Sequence, residues 1–244
     1  MKRFLALIIV MGFGVVGLHH AAAEQSSRPV YEKTGNVIWD RETDEKMIAL
    51  TFDDGPDPQY TPEILEVLAK HNAKATFFVL GMHAKQFPNI VHRQMLEGHE
   101  IGNHTYHHIY SIKSKKKLQA ELDATADVIE QITKRRPQLY RPVGGDYNDL
   151  IIDTAVENDY LVVLWSWHQD THDWKNPGVD KIVDHVLSGI GPGDVILFHD
   201  SGGDRSQTVD ALDKILTELD KEGYEYVTMS QLLARSETPS RIMK

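Results

Sequence analysis

The chain contains no cysteine. That excludes thiol nucleophiles and thiolate metal ligands, so any metal must be held by histidine, aspartate or glutamate. It does not argue against export, because 244 residues bury a core large enough to stand without disulfides. Basic charge is also short: 26 Lys and Arg face 36 Asp and Glu, a formal net charge of −10. A chain of that sign lacks the footprint for non-specific nucleic-acid binding. One basic cluster, Lys113, Lys115, Lys116 and Lys117, opens a helical pattern and reads as a solvated face. Beyond residue 18, no apolar stretch approaches the length that spans a bilayer.

The one long apolar run is at the start. Lys2 and Arg3 precede fifteen mostly apolar residues from Phe4 to Leu18, and Ala21-Ala22-Ala23 follows before Glu24. A basic start, a short apolar stretch and a small-x-small site make the pattern of a secretory signal peptide over residues 1–23. An uncleaved signal anchor is the alternative. The reading predicts an exported protein, secreted or associated with a cell wall, with no stable membrane insertion after cleavage. Residues 24–44 are polar and mixed, an arm or linker. A domain is expected over 45–235, with a tail at 236–244.

Seven β-prone apolar runs recur, at 47–53, 75–80, 100–103, 138–141, 161–167, 194–199 and 224–229. Between them lie helical spacings. Thr61, Pro62 and Glu63 predict a helix start with Thr61 as N-cap. Apolar residues at three- and four-residue intervals predict helices over 115–134 and 207–222. This alternation predicts an α/β architecture with a parallel sheet, doubly wound or barrel. In either, chemistry gathers at the carboxyl ends of the strands. Asp53-Asp54, His104 to His108, Arg141, Asp170 with Asp173-Trp174, and His199-Asp200 all fall there.

His104 and His108 stand four apart, a spacing that puts two imidazoles on one side of a helical turn, within reach of one metal. A carboxylate beside them would complete a set with open positions for water and substrate. Among thirteen histidines, a surface cluster is the other reading. Asp53 and Asp54 are adjacent at a strand end, so they need not do the same job. One would hold the metal while the other acts as a base; by itself the segment also reads as a polar turn. Arg141 suits either a structural ion pair or the orientation of a catalytic carboxylate. His199 reads as a core histidine or as an acid whose pKa Asp173 raises through a hydrogen bond. Trp165, Trp167 and Trp174 are core, or line a groove where sugar rings stack.

Taken together, these residues resemble the polysaccharide deacetylases, the NodB-homology domain of carbohydrate esterase family four. Thr51 to Pro56 (TFDDGP) matches the family's first motif, and His104-Thr105-x-x-His108 its His-Ser/Thr-x-x-His motif. Arg141 to Gly145 (RPVGG) resembles Arg-Pro-Pro-Tyr-Gly, Asp170 to Trp174 resembles Asp-x-x-Asp-Trp, and Leu197-Phe198-His199 matches Leu-x-His. The resemblance covers roughly residues 45 to 235. It implies a distorted (β/α) barrel of about seven parallel strands.

It also implies roles. Asp53 would be the general base, oriented by Arg141, and His199 the general acid, supported by Asp173. Asp54, His104 and His108 would bind a divalent metal, commonly zinc, with cobalt or manganese as alternatives. Leu197 would line the acetyl pocket, Gly144 would offer its N–H to the oxyanion, and Trp174 would face the substrate. The expected activity is removal of N-acetyl groups from a polysaccharide, with peptidoglycan first, because no separate chitin-binding module is evident. Chitin oligomers and acetylated xylan come next, and a non-catalytic glycan-binding protein is the contrasting class. The third motif departs from the family in having glycine at 144. This predicts a groove that is wider or less rigid there.

Overall fold

A computed structural model describes residues 28–236. The signal-peptide segment and residues 237–244 of the tail lie outside them. Residues divide into two units, one ending at Thr34 and one beginning at Gly35. In the first, the described residues make a short helical stretch bearing an Arg28–Glu32 ion pair.

The second unit is built on eight parallel strands: β1 Val37–Ile38, β2 Met47–Asp53, β3 Ala75–Val79, β4 Glu100–Asn103, β5 Leu139–Tyr140, β6 Leu161–Val163, β7 Val195–His199 and β8 Glu225–Tyr226. Seven of them run in the order β1-β6-β5-β4-β3-β2-β7, and β8 pairs with β2. After β6 the chain bends along β7. Ser166 N–H donates to the Val195 carbonyl, and Asp170 bridges Leu197 in parallel. That detour closes the distorted barrel. No helix among the described residues is long and apolar enough to cross a membrane.

The strands are apolar on successive residues because both faces are covered. In β2 every residue from Met47 to Asp53 is buried. Phe52 stacks between Phe77 and Phe198, at centroid separations of 5.0 and 5.5 Å. Outside, the helices Tyr60–Lys70 and Ser206–Glu222 bury Ile64, Leu65, Leu68, Leu212, Ile215 and Leu216 against this layer. Each such side chain contributes roughly 1.5–3 kcal/mol by leaving water.

Three sequence expectations differ from the fold. The boundary at 45 falls inside the folded unit: β1 pairs with β6, and Trp39 is wholly buried. Two residues are too few for a hydrophobic period to show. Thr61 does not cap its helix, whose N-cap is Gln59 without a side-chain bond. The Thr61 hydroxyl is turned inward instead and donates to Asp200 Oδ2 at 2.6 Å. Residues 104–108 are not a helical turn, since Thr105 (φ 70°) and His108 (φ 55°) are both left-handed. The expected helix from 115 does form, capped by Ser114, with its lysines exposed.

Candidate active site

Asp53 ends β2 in extended backbone, and Asp54 follows it with φ 77°. After this left-handed step the two neighbouring carboxylates differ in their principal partners, although Asp53 Oδ2 also lies 3.8 Å from His104 Nε2. Asp53 Oδ1 accepts from Arg141 Nη1 at 2.8 Å. Arg141 is fully buried, and three more of its five N–H groups donate to Thr51 Oγ1 and the carbonyls of Val163 and Leu164. A guanidinium so completely tied holds the carboxylate in one orientation.

Asp54 Oδ1 faces two imidazoles instead, with His108 Nε2 at 3.0 Å and His104 Nε2 at 3.4 Å. His104 Nδ1 lies 2.8 Å from the Arg141 carbonyl, which can only accept. His104 therefore donates from Nδ1, which leaves Nε2, facing Asp54, as the ring nitrogen positioned for a metal. Asp54 Oδ1 is itself buried without a hydrogen-bond partner. Two imidazole nitrogens and a carboxylate oxygen, all within 4.8 Å of one another, fit a divalent cation and leave positions for water and substrate.

The loop carrying both histidines is held from behind. Asn103 Oδ1 accepts from Thr105 N–H, and Glu121 accepts the N–H groups of Tyr106 and His107 and pairs with His107 Nδ1 at 2.8 Å. His107 is thus committed to Glu121 and faces away from the ligand set.

Across the cavity, Asp173 Oδ1 lies 2.7 Å from His199 Nδ1, and Oδ2 accepts the His199 backbone N–H and the Thr208 hydroxyl. Burial alone would lower the His199 pKa, but the Asp173 hydrogen bond and charge, with help from Asp54 and Asp53, raise it to about 9. The ring is then an imidazolium at neutral pH, with its Nε2 proton available.

The ten residues to which the resemblance gives roles come together, while Trp167, also a candidate for the groove, is not among the residues lining the cavity. Asp53, Asp54, His104, His108, Gly144, Leu197, Trp174 and His199 line one cavity of about 660 Å³. Arg141 and Asp173 stand directly behind it. Trp165 lines the same cavity while remaining nearly buried, and Trp174 is half exposed at its rim.

Other participants carry no motif. His83 donates from Nδ1 to the Asp54 carbonyl at 2.8 Å. Arg205 lines the cavity and ties the 201–204 loop through the carbonyls of Ser201, Gly202 and Asp204. Asp200 is fully buried; that burial, with the charges of Asp54 and Asp53, raises its pKa to about 7. It explains the glycine of the first motif, because a Cβ at Gly55 would lie 2.1 Å from the Asp200 carboxylate. Only proximity to the site identifies His83 and Arg205, whereas Asp200 already stands at a strand end beside His199 in the sequence.

At Gly144, where a wider or less rigid groove was expected, a side chain from another loop borders the wall. Gly144 has φ 64°, and a Cβ there would meet the ring of Tyr110 at 3.1 Å. The space is already filled.

Comparison with known proteins agrees with this geometry. The family model described as polysaccharide deacetylase matches residues 40–163. A peptidoglycan-N-acetylglucosamine deacetylase of Bacillus cereus is 51% identical over 207 residues, covering 84% of this chain and 97% of that protein. A chitooligosaccharide deacetylase of Sinorhizobium fredii is 36% identical, covering 72% of this chain and 87% of that one. A crystal structure of a peptidoglycan N-acetylglucosamine deacetylase bound to an N-hydroxybenzamide superposes with a TM-score of 0.82 at 37% identity, over 86% of this chain and 99% of that chain. With its distorted barrel and its cavity of paired carboxylates and histidines, the chain belongs to the polysaccharide deacetylase family.

Proposed function

We propose that this protein is an exported, metal-dependent hydrolase that removes N-acetyl groups from the amino sugars of peptidoglycan. One observation carries the reading: the Asp54–His104–His108 set, the Asp53–Arg141 pair and the His199–Asp173 pair converge on a single cavity. The peptidoglycan choice is supported by the Bacillus cereus relative, matched over nearly its whole length. Export is supported by the pattern of residues 1–23.

Asp54, His104 and His108 would hold the cation, zinc first, with cobalt or manganese as alternatives. When bound, such an ion supplies a water of lowered pKa and polarises the acetamide carbonyl. Asp53, fixed by Arg141, accepts the proton of the attacking water. His199 gives its Nε2 proton to the departing amine, and Asp173 stabilises the charged ring until then. Gly144 lies on the wall where its backbone N–H would meet the developing oxyanion. Leu197 is 3% exposed and offers an apolar contact for the acetyl methyl. No covalent intermediate is required.

Acetate release is the test. The chain from residue 24 onward is assayed on peptidoglycan, N-acetylglucosamine oligomers and acetylated xylan, with zinc, with chelator, and as Asp53→Asn. Release from peptidoglycan that needs both the metal and Asp53 supports the proposal. Preference for the free oligomers would move the substrate toward that of the chitooligosaccharide relative. Tight zinc binding with no release from any polymer would leave a glycan-binding protein.

A further inference from the structure

Six large hydrophobic side chains are exposed among the described residues, and three of them, Met82, Tyr110 and Trp174, border the active-site cavity. Scattered apolar residues on a surface need no explanation, but a cluster at the mouth of a cavity does. Trp174 belongs to a motif. Tyr110 belongs to none and is the most exposed of the three, at 64%.

Its backbone is nevertheless well placed. His108 before it and Ser111 after it are both left-handed, at φ 55° and 52°, and Ile112 is buried as an anchor. The ring stands edge-on to His108, with centroids 5.0 Å apart and planes at 80°. It also covers Gly144: its Cε1 and Cδ1 lie 3.1 and 3.4 Å from where a Cβ at 144 would sit. Residue 144 therefore has no side chain and a left-handed backbone where a ring delivered from another loop occupies the wall.

We propose that Tyr110 is a substrate-positioning residue, whose ring forms the cavity wall that Gly144 leaves bare and stacks against a pyranose ring of the glycan. The chemistry suits that occupant. A pyranose ring presents a face of C–H bonds with slight positive charge, which the negative face of an aromatic ring attracts. Mounted beside a metal-ligand histidine, the platform would register the sugar against the reacting centre. The inference rests on the glycan-deacetylase reading above.

Wild type, Tyr110→Ala and Tyr110→Phe are compared as metal-loaded proteins on an N-acetylglucosamine pentamer. Tyr110→Ala should raise KM ~10-fold while kcat stays within ~3-fold, the size of one lost aromatic contact. Tyr110→Phe should stay close to wild type, since the ring rather than the hydroxyl does the stacking. Cobalt affinity, read from the absorption of the bound ion, should be equal in all three. An unchanged KM in Tyr110→Ala would overturn the inference, as would Phe behaving like Ala. A fall in kcat and cobalt affinity without a change in KM would make Tyr110 a prop for His108 and would overturn it too. Should the wild type release no acetate, the functional reading fails separately. Calorimetric binding of the pentamer would then decide, and binding equally tight to Tyr110→Ala would reject the stacking role.

Discussion

Asp173 grips His199 at two points, with Oδ1 2.7 Å from the ring Nδ1 and Oδ2 2.8 Å from the backbone N–H. The first contact sets the ring's charge and the second sets its place. Because the His199 pKa is raised to about 9, its protonated form persists through neutral pH and is lost as pH rises through that value. Deacetylation should therefore fail on the alkaline side near pH 9. In Asp173→Asn the alkaline limb should move to lower pH, because the carboxylate charge is gone. Rate profiles of the two proteins check this; superimposable alkaline limbs would remove Asp173 from the role. The pair's contribution to stability follows the same sign. For His199 it is fully present below the unfolded histidine value of about 6.5 and fades between there and about 9.

Arg141 is buried without residue, and its nearest carboxylate is Asp53. Removing one partner of such a pair leaves an uncompensated charge. Arg141→Met should destabilise the protein by about 3 kcal/mol. Asp53→Asn keeps a polar group against the guanidinium and should cost less stability, yet lower kcat by about 100-fold or more as the base is lost. Denaturant midpoints and turnover, measured on both variants, separate the two effects.

Glu121 does not line the cavity, but it accepts two backbone N–H groups between His104 and His108. Glu121→Ala should release that loop and weaken zinc affinity by about 10- to 100-fold, in the range of other groups that support ligands from behind. Calorimetric titration with zinc reads this directly. Equal affinity would show that Asn103 and the buried His104 hold the loop alone.

Gly144 and Tyr110 should couple. Gly144→Ala places a methyl group 3.1 Å from the Tyr110 ring on a left-handed backbone, and the backbone alone should cost about 1 kcal/mol. In a Tyr110→Ala background only that backbone cost remains, so the second loss should be smaller than the first. A thermal-unfolding cycle of the four proteins checks it; additive losses would mean that the ring simply swings aside.

Much of the site was legible because its chemistry sits in short motifs at strand ends. Asp53-Asp54, Arg141 and His199 each sit at the end of a buried apolar run, the histidine pair follows the more polar strand Glu100–Asn103, and a parallel sheet delivers the ends of such strands to one edge. The connection between Asp173 and His199 was legible as well, through residue type. The N-terminal strand was not. Val37–Ile38 is too short for a period, and its partner β6 lies more than a hundred residues away.

The sequence by itself determined the alternation of strands and helices, the edge where function collects, and the acids, bases and ligands available there. These are local properties of hydrophobic period and side-chain chemistry. Only the tertiary structure decided which way each group faces. The left-handed backbone at Asp54, Thr105 and His108 turns neighbouring residues to different tasks. Thr61 leaves a helix cap for Asp200, and Tyr110 closes over a glycine thirty-four positions away. Such choices follow from packing between segments distant in the chain, where a ring or a hydroxyl goes to whatever space and partner the fold brings near.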